Sequence, residues 1–423
     1  MATRDHETGE SSVFKKLGAA ALSALLAATL LAVVSPGPAS AYMPEDGAIF
    51  NNPWGRFPAK ERLLTKIAST IDAAVPGSTI RIAAYSNDRK DITDALIAAH
   101  RRGVHVQVLL NGNWTSRQTT RMQRVLGKNP EKKHFLRICK RSCRGETGNL
   151  HSKFFLFTNI GTARHVVMFG SVNLTGFGAK TQWNDLYTST NRRVLHNRLR
   201  KVFNSMKHDR VRKNPFINTA VGDYDITVYP RYRNTEANDP VLNRLKRIRC
   251  KGDVGPAGVG GRTMIRINMY GWNGTRGVYL ARKVADLSRH GCNIKVLESD
   301  AGGRVVQIMA RNGVLIKSPD FDRNSNGKVD MFTHTKYWMV GGRYGKDSAG
   351  WHVWTGSQNW SDRAMKGDEL TVHIPRRGVF WNYRQNFRKI WRKHSRWIAD
   401  TRPEKQPATS TTTRTRGTAL DSL

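Results

Sequence analysis

Acidic residues, cysteines and long apolar runs are scarce in this chain. Its 423 residues include 32 Asp and Glu against 70 Lys and Arg, which gives a formal net charge of +38. Four cysteines are too few for a disulfide-dense scaffold. Only one stretch is apolar enough to cross a bilayer, which excludes a multi-span membrane protein. Hydrophobic residues make up 39% of the chain, enough to bury a core, so a disordered protein is excluded as well.

The single apolar run lies near the N-terminus and has the pattern of an export signal. Lys15 and Lys16 precede the apolar residues 17–34, and residues 39–41 (Ala-Ser-Ala) form a small-residue cleavage site. An uncleaved membrane anchor is the alternative, which the prolines that follow the run disfavour. We therefore expect a signal peptide over residues 1–41 and a secreted mature protein.

The four cysteines of an exported chain can form disulfides. Cys139 and Cys143 are close in sequence, which leaves Cys250 and Cys292 as the second pair. We expect this local pairing among the three possible connectivities. A zinc site at Cys139 and Cys143 is the alternative, but the sequence has no second ligand pair nearby.

The chain repeats itself. Residues 79–85 alternate like a strand and are followed by a helical stretch, a glycine and a second strand, and a similar series starts 185 residues later at 264–270. Strand, helix, strand is a βαβ unit with parallel strands. We predict two similar α/β lobes, 42–213 and 214–400, and a disordered tail over 401–423, which is rich in Thr, Ser and Arg. Near the end of each lobe, apolar side chains at helical spacing predict a packed helix: Leu195, Leu199, Val202 and Met206, then Phe380, Tyr383, Phe387 and Trp391.

Both lobes also carry the same ordered set of polar residues. Each has His-x-Lys at the start of an apolar strand, then Gly-Ser-x-Asn, then an acid before another strand. The first set is His151, Lys153, Ser171, Asn173 and Asp185, and the second is His334, Lys336, Ser357, Asn359 and Glu369. One His-x-Lys is usually a surface strand and one Gly-Ser-x-Asn is usually a turn. Their joint recurrence in a duplicated frame indicates function.

These residue types suit chemistry at phosphorus. Two lysine ammonium groups and two asparagine amides that converge make a site for a tetrahedral anion. Of two histidines on opposite sides of that anion, one can attack phosphorus while the other protonates the leaving oxygen. A carboxylate can hold the far nitrogen of each ring. Because the lysines offset the developing charge, we expect no metal or other cofactor to be needed.

The two sets resemble the signature of the phospholipase D superfamily, and the resemblance spans roughly residues 47–400. It implies two α/β sandwich lobes related by pseudo-twofold symmetry, with one active site at their junction. It also implies a phosphohistidine on His151, with His334 as the general acid that later activates water or an alcohol. Its further implied roles are phosphate binding by Lys153, Lys336, Asn173 and Asn359, support by Ser171 and Ser357, and orientation of the histidines by Asp185 and Glu369.

The chain departs from this family pattern at one position of each lobe. The family motif usually continues His-x-Lys-x-x-x-x-Asp, whereas the Asp positions are Thr158 and Gly341 here. That Asp would lie on the strand beyond the phosphate contacts, so we interpret its role as structural. The missing Asp should therefore affect the conformation of the local turn more than the catalytic chemistry.

Phospholipid and nucleic acid are the two substrate classes that the sequence favours. Export favours phospholipid from other cells, so we expect a phospholipase D that hydrolyses head groups, with or without transfer to an alcohol. The charge of +38 suits a nucleic-acid backbone and an anionic membrane surface equally. A secreted nuclease is therefore the alternative, and a decayed, basic nucleic-acid or membrane-binding protein is a third hypothesis. No obligate protein partner is implied.

One further segment has the spacing of a calcium loop. Asp322, Asn324, Asn326 and Asp330 carry oxygen ligands at suitable intervals, but position twelve is Thr333 where the motif has Glu. An Asn-Gly hairpin tip leading into the His334 strand explains the same residues. Any calcium bound there is expected to be structural.

Overall fold

A computed structural model of the protein describes residues 42–398. The expected signal peptide over residues 1–41 and the expected tail over residues 401–423 lie outside the described residues. Within residues 42–398, no helix is both long and apolar enough to cross a membrane.

The first half of the described chain contributes one mixed sheet and its helices. The strands are β1 Gly47–Phe50, β2 Thr79–Ala84, β3 His105–Asn111, β4 Phe135–Cys139, β5 Phe154–Ile160, β6 Ala163–Gly170, β7 Gln182–Trp183 and β8 Asp185–Ser189. The helices are α1 Phe57–Asp72, α2 Lys90–Arg101, α3 Arg117–Leu126, α4 Gly176–Thr181 and α5 Arg193–Met206.

The second half repeats this series with additions. Its strands are β9 Ile217–Val221, β10 Tyr224–Val228, β11 Met264–Trp272, β12 Asn293–Ala301, β13 Leu315–Ser318, β14 Phe332–Thr333, β15 Lys336–Tyr344, β16 Asp347–Gly356, β17 Leu370–Ile374 and β18 Arg396–Trp397. Its α-helices are α6 Pro240–Leu245, α7 Gly274–Arg289, α8 Gly303–Ala310 and α9 Arg377–Lys393. Short 3-10 turns occupy Glu236–Asn238, Gly255–Ala257 and Arg363–Met365.

The two large sheets have the same strand order. The first runs β4-β3-β2-β5-β6-β8-β1, and the second runs β13-β12-β11-β15-β16-β17-β10 with β18 and β9 added at its edges. In both sheets the strands of the βαβ unit are parallel, as β2 with β3 and β11 with β12, and the neighbour on the other side, β5 or β15, runs antiparallel. The predicted fold class, two similar α/β lobes in pseudo-twofold relation, is confirmed.

Local sequence explains the matching elements. Gly103 and Gly291 follow α2 and α7 with φ of +89° and +94°, a left-handed conformation that ends a helix at little steric cost when the residue is glycine. The predicted apolar stripes of α5 and α9 are buried. They belong to one core cluster that also includes Phe154 of the first sheet and Tyr337 of the second, so this cluster joins the lobes.

The disulfides follow the predicted local pairing. Cys139 bonds to Cys143 and Cys250 bonds to Cys292. Both thiols of the Cys139-x-x-x-Cys143 motif are thus used in a covalent bond, which removes the zinc alternative at that position.

Candidate active site

Two backbone hydrogen bonds cross the junction between the lobes at equivalent places. The N–H of His151 donates to the carbonyl of Asp368 at 3.0 Å, and the N–H of His334 donates to the carbonyl of Trp183 at 2.9 Å. Around the second bond, β14 pairs in parallel with β7. The His151 motif is therefore bonded to the residue before Glu369, and the His334 motif is bonded to the residue before Asn184.

Those polar side chains meet the histidines. The Nδ1 of His151 lies 2.7 Å from Glu369 Oε1, and the Nδ1 of His334 lies 2.9 Å from Asn184 Oδ1. The two imidazole centroids are 6.5 Å apart and nearly perpendicular. The His334 side chain is almost fully buried, whereas 19% of the His151 side chain is exposed. The structure thus brings both predicted histidines to one site, each supported from across the junction.

The partner of His334 differs from the sequence expectation. Asn184 is the structural counterpart of Glu369, because Gly170 pairs with Leu186 while Gly356 pairs with Thr371. The amide of Asn184 accepts from the Ser171 hydroxyl at 3.0 Å and donates through Nδ2 to the carbonyl of Gly178 at 3.2 Å. These contacts direct Oδ1 to His334, so the ring nitrogen Nδ1 is the donor.

Asp185 does not contact either histidine, so the structure does not support its expected orienting role. Its carboxylate accepts hydrogen bonds from the hydroxyls of Thr355 and Tyr383, both in the second lobe. Burial raises the pKa of Asp185, and the hydroxyl donors oppose that rise. The physical reason for the difference is register: Asn184, one residue before Asp185, occupies the position that faces His334, and neighbouring residues of an extended chain point to opposite sides.

Both predicted lysines face this site. Lys153 Nζ donates to the carbonyl of His151 at 2.5 Å, and Lys336 Nζ donates to that of His334 at 2.6 Å. The ammonium groups lie over the rings of Tyr85 and Tyr270, 5.6 and 5.0 Å from the centroids. Burial lowers the pKa of Lys153 to about 7, against the opposing charge of Glu369.

The motif asparagines and serines divide into two groups by their contacts. The Oδ1 atom of Asn173 is buried without a hydrogen-bond partner, and that of Asn359 accepts from the N–H of Gly271 at 3.1 Å. The serine hydroxyls are used elsewhere, since Ser171 donates to Asn184 and Ser357 donates to Glu369. The serines therefore hold the partners of the histidines, and their expected support of the phosphate stays a prediction.

Burial favours the neutral form of both histidines. Burial lowers the pKa of His151 to about 4, while the Glu369 carboxylate acts in the opposite direction. Burial also lowers the pKa of His334 well below its ordinary value, and the charges of Lys336 and Lys153 lower it further. Both lysines also depress the pKa of His151, which shows that the two cations act on both rings.

The two positions that lack the motif Asp are filled differently. The hydroxyl of Thr158 accepts from the N–H of Thr79 at 2.8 Å, at the start of β2. A Cβ at Gly341 would lie 2.4 Å from the carbonyl oxygen of Ala257 and 2.7 Å from the ring of Phe380, so no side chain fits there. Thr158 and Gly341 lie within the central strands β5 and β15, each five residues beyond the motif lysine.

A buried ion pair beside Glu369 also joins the lobes. The carboxylate of Asp368 accepts from Arg144 Nε at 2.8 Å, from the Ser142 hydroxyl at 2.7 Å and from the N–H of Cys143 at 2.5 Å. Sequence analysis did not find this group; the Arg-rich cysteine loop was its one visible signal. Residues 142–144, which we call the cysteine-loop clasp, thus fix the residue before Glu369.

The expected calcium-loop residues accept backbone hydrogen bonds. Asp322 accepts from Gly327 N–H at 2.7 Å, Asn326 from Lys328 at 2.9 Å, and Asp330 from Arg323 at 2.8 Å. Asn324 likewise accepts from the N–H of Asn326. Among residues 42–398, no group of three or more His, Cys, Asp or Glu is arranged to hold a metal ion. Calcium binding at this loop stays a prediction.

Comparison with known proteins agrees with this fold. Residues 67–207 match the family described as "Cardiolipin synthase, PLD-like domain". The fold is similar to that of phosphatidylserine synthase from Haemophilus influenzae Rd KW20, with 12% identity, 85% of this chain and 88% of that chain covered, and a TM-score of 0.56. It is also similar to polyphosphate kinase from Porphyromonas gingivalis, with 17% identity, 82% and 51% covered, and a TM-score of 0.52. The chain spans about half the length of that kinase. No curated protein matches.

The first lobe carries the matched family domain, the second lobe repeats its strand order, and the paired histidines lie at their junction. A PLD-like domain is thus matched within residues 67–207, and the similarity to solved structures extends the shared fold to most of the chain.

Proposed function

We propose that this chain is a metal-independent phospholipase D that hydrolyses phospholipid head groups, with alcohol transfer as a side reaction. One observation carries the proposal: two imidazoles 6.5 Å apart face each other between two lysines that act on both rings. That arrangement supplies a nucleophile, an acid and a cationic setting for one phosphodiester.

In the first step, His151 Nε2 attacks phosphorus. Glu369 accepts from Nδ1, which leaves the lone pair on Nε2 and stabilises the positive charge that the ring gains on phosphorylation. The N–P bond forms as the bond from phosphorus to the head-group oxygen breaks. His334 gives its Nε2 proton to that oxygen. The phosphate charge of the bound substrate offsets the lysines that lower the pKa of His334, so binding favours the protonated ring.

In the second step, neutral His334 accepts a proton from water. The resulting hydroxide oxygen attacks phosphorus, the N–P bond breaks, and phosphatidic acid leaves while His151 returns to its neutral form. An alcohol in place of water gives the transfer product by the same movement of atoms. The neutral amide of Asn184 holds the ring through Nδ1 in both steps.

A line of aromatic rings supports an amphipathic substrate. Phe177, which is 37% exposed, lies 6.1 Å from Phe332. Phe332 lies 5.5 Å from Tyr270, and Tyr270 lies 5.2 Å from His334. The line leads from the surface to the catalytic ring and offers apolar contact to a lipid next to its phosphate.

Export is part of the proposal. The apolar run and cleavage pattern of residues 1–41 support a signal peptide. Two disulfides within residues 42–398 suit an oxidising compartment. We propose that the mature protein is secreted and meets phospholipid outside the cell.

Nucleic acid is the second candidate substrate, favoured by the net charge of +38. The deciding experiment offers purified protein phosphatidylcholine vesicles and plasmid DNA side by side in EDTA, with His151→Ala as the control for contaminating enzymes. Choline release without nicking supports the proposal, and nicking without choline release supports a nuclease. No turnover of either substrate would favour a decayed binding protein. Activity that disappears with chelator and returns with magnesium would contradict the metal-free mechanism.

A further inference from the structure

A second polar cavity lies in the second lobe, and none of the catalytic residues lines it. Its volume is about 520 Å³, and residues of β9, β10, α6 and the loops around them form its walls. This is within the range of about 300–1,000 Å³ that is usual for small-molecule sites. We call it the α6 cavity.

The wall contains a buried arginine with spare donor capacity. Arg244 is 9% exposed, and its Nη2 donates to Asn218 Oδ1 at 3.1 Å and to the Thr227 hydroxyl. Its Nη1 is buried and has no hydrogen-bond partner. Arg244 therefore brings a buried positive charge to the cavity wall that is paired with no carboxylate, and such a charge favours an anion nearby.

The charges around Arg244 are unbalanced. Arg231 and Arg247 also line the cavity, and their guanidinium groups stack on Phe216 and Tyr344 at 4.4 and 4.6 Å from the ring centroids. None of the ion pairs formed within residues 42–398 involves these three arginines.

The one acid in the cavity wall does not neutralise them. Asp225 is 2.8 Å from the Nδ1 of His373, whose Nε2 is in turn 3.1 Å from His352. Three guanidinium groups around one hollow therefore share a single carboxylate that is already engaged, and an anion that enters would be attracted by the remaining charge.

We propose that the α6 cavity binds the phosphate group of a small soluble molecule, separately from the catalytic pocket. Guanidinium groups present paired N–H donors that match phosphate oxygens. Arg244 supplies a fixed, buried positive charge, while the more accessible Arg231 and Arg247 supply N–H donors and charge at the rim. The amides of Asn218 and Asn243 in the wall add polar partners for the rest of the molecule. The volume exceeds that of bare phosphate, so a phosphate monoester of a small alcohol suits the space.

The test must separate this cavity from the catalytic phosphate site. Lys153→Ala and Lys336→Ala together remove the catalytic cations, and binding of inorganic phosphate is then measured by titration calorimetry at low ionic strength. We expect one phosphate per chain in this background. Adding Arg231→Ala and Arg247→Ala should weaken binding by about tenfold or more, since two charge-assisted contacts are lost. Both side chains reach the solvent, so their loss should leave the fold intact, which circular dichroism checks.

Lys246→Ala is the matched control, because Lys246 is an exposed cation of the same segment that does not line the cavity. It should leave the affinity unchanged. The proposal is overturned if the lysine-free background binds no phosphate, if the arginine variant binds as tightly as its parent, or if Lys246→Ala weakens binding equally. Glycerol phosphate should compete with inorganic phosphate. Binding only to phosphatidic acid vesicles would overturn the soluble-ligand assignment.

In the otherwise unmodified chain, Arg231→Ala with Arg247→Ala should leave phosphodiester hydrolysis unchanged. Failure of the α6 cavity proposal therefore does not affect the proposed hydrolase, and failure of the hydrolase does not affect the cavity.

Discussion

The two lobes share a strand order and differ in the residue that supports each catalytic ring. Glu369 of the second lobe holds His151, whereas its counterpart Asn184 of the first lobe holds His334. Both partners accept a hydrogen bond from the serine of their own Gly-Ser-x-Asn motif. The two lobes thus share their strand order and the serine contact, whereas only one of the two supporting residues, Glu369, is charged.

This difference gives the two rings distinct chemistry. A carboxylate stabilises an imidazolium more than a neutral amide does, because it adds an opposite charge. His151 is therefore suited to carry the positive charge of a phosphohistidine. His334 is suited to release a proton, since nothing negative beside its ring retains it.

Removing either ring gives the largest expected effect. His151→Ala and His334→Ala should each lower kcat by about 10³-fold or more, because each ring does a separate task. A substrate with a p-nitrophenol leaving group needs no protonation, so His334→Ala should release about one p-nitrophenol per enzyme in a burst, whereas His151→Ala should release none. Rates on both substrates check this assignment. Near-full activity of either variant on phospholipid would contradict it.

Glu369→Gln should have the next largest effect, with kcat lower by about 10²–10³-fold and KM little changed. The substitution removes the charge that supports His151 while it keeps the shape of the side chain. Asp185→Asn is the matched control, since Asp185 contacts hydroxyls and no histidine. It should change kcat only a few-fold. Equal losses in the two variants would show that the observed pairing does not govern catalysis.

Breaking the cysteine-loop clasp should affect stability and catalysis together. Asp368→Asn leaves Arg144 buried without its counter-ion and should cost about 3 kcal/mol of unfolding free energy, measured by urea denaturation. Asp239→Asn is the matched control, since Asp239 forms a buried pair with Arg276 at 2.7 Å within the second lobe.

Both variants of this pair should be destabilised by a similar amount. Only Asp368→Asn should also lower kcat, because Asp368 lies between the clasp and Glu369 and bonds the His151 backbone. A fall in kcat of the same size in Asp239→Asn would mean that general destabilisation is the cause.

Asn184→Asp gives both histidines a carboxylate partner, and its effect on kcat should be smaller than those of the preceding active-site variants. A carboxylate beside His334 favours its protonated form and so raises its pKa. The step that needs protonated His334 should then persist to higher pH, and the alkaline limb of the kcat profile should move upward by about one unit. At neutral pH the change in kcat should be within about tenfold. A profile that moves downward or not at all would contradict the assigned role.

Thr158→Val should give the smallest effect. It removes the acceptor for the N–H of Thr79 and should cost about 1 kcal/mol of unfolding free energy with kcat unchanged. Thermal unfolding and steady-state rates measure the two. Loss of activity without loss of stability would mean that this motif position acts on the chemistry after all.

Much of this arrangement could be predicted from the sequence. The repeat offset and the alternating strands predicted the two lobes. The doubled His-x-Lys predicted that His151 and His334 meet, because equivalent positions of two related lobes come together where the lobes pack. The acceptors of the serine hydroxyls could not be predicted, because Asn184 and Glu369 lie 13 and 12 residues further along the chain, just before the next strands.

Asn184 was missed for a specific physical reason. Sequence reasoning matched acid with acid, Asp185 with Glu369, whereas the sheet matches positions by register. A shift of one residue reverses the side to which a side chain points. The clasp of Asp368 and the α6 cavity depend on contacts between distant segments, which local patterns do not encode.

The cross-lobe supports have an evolutionary consequence. In a symmetric homodimer of a single lobe, any substitution at the supporting position changes both dyads at once, because the two subunits are identical. A chain that carries both lobes in one gene can hold a carboxylate on one ring and an amide on the other. Glu369 and Asn184 differ in this way, which the supports of two identical subunits could not.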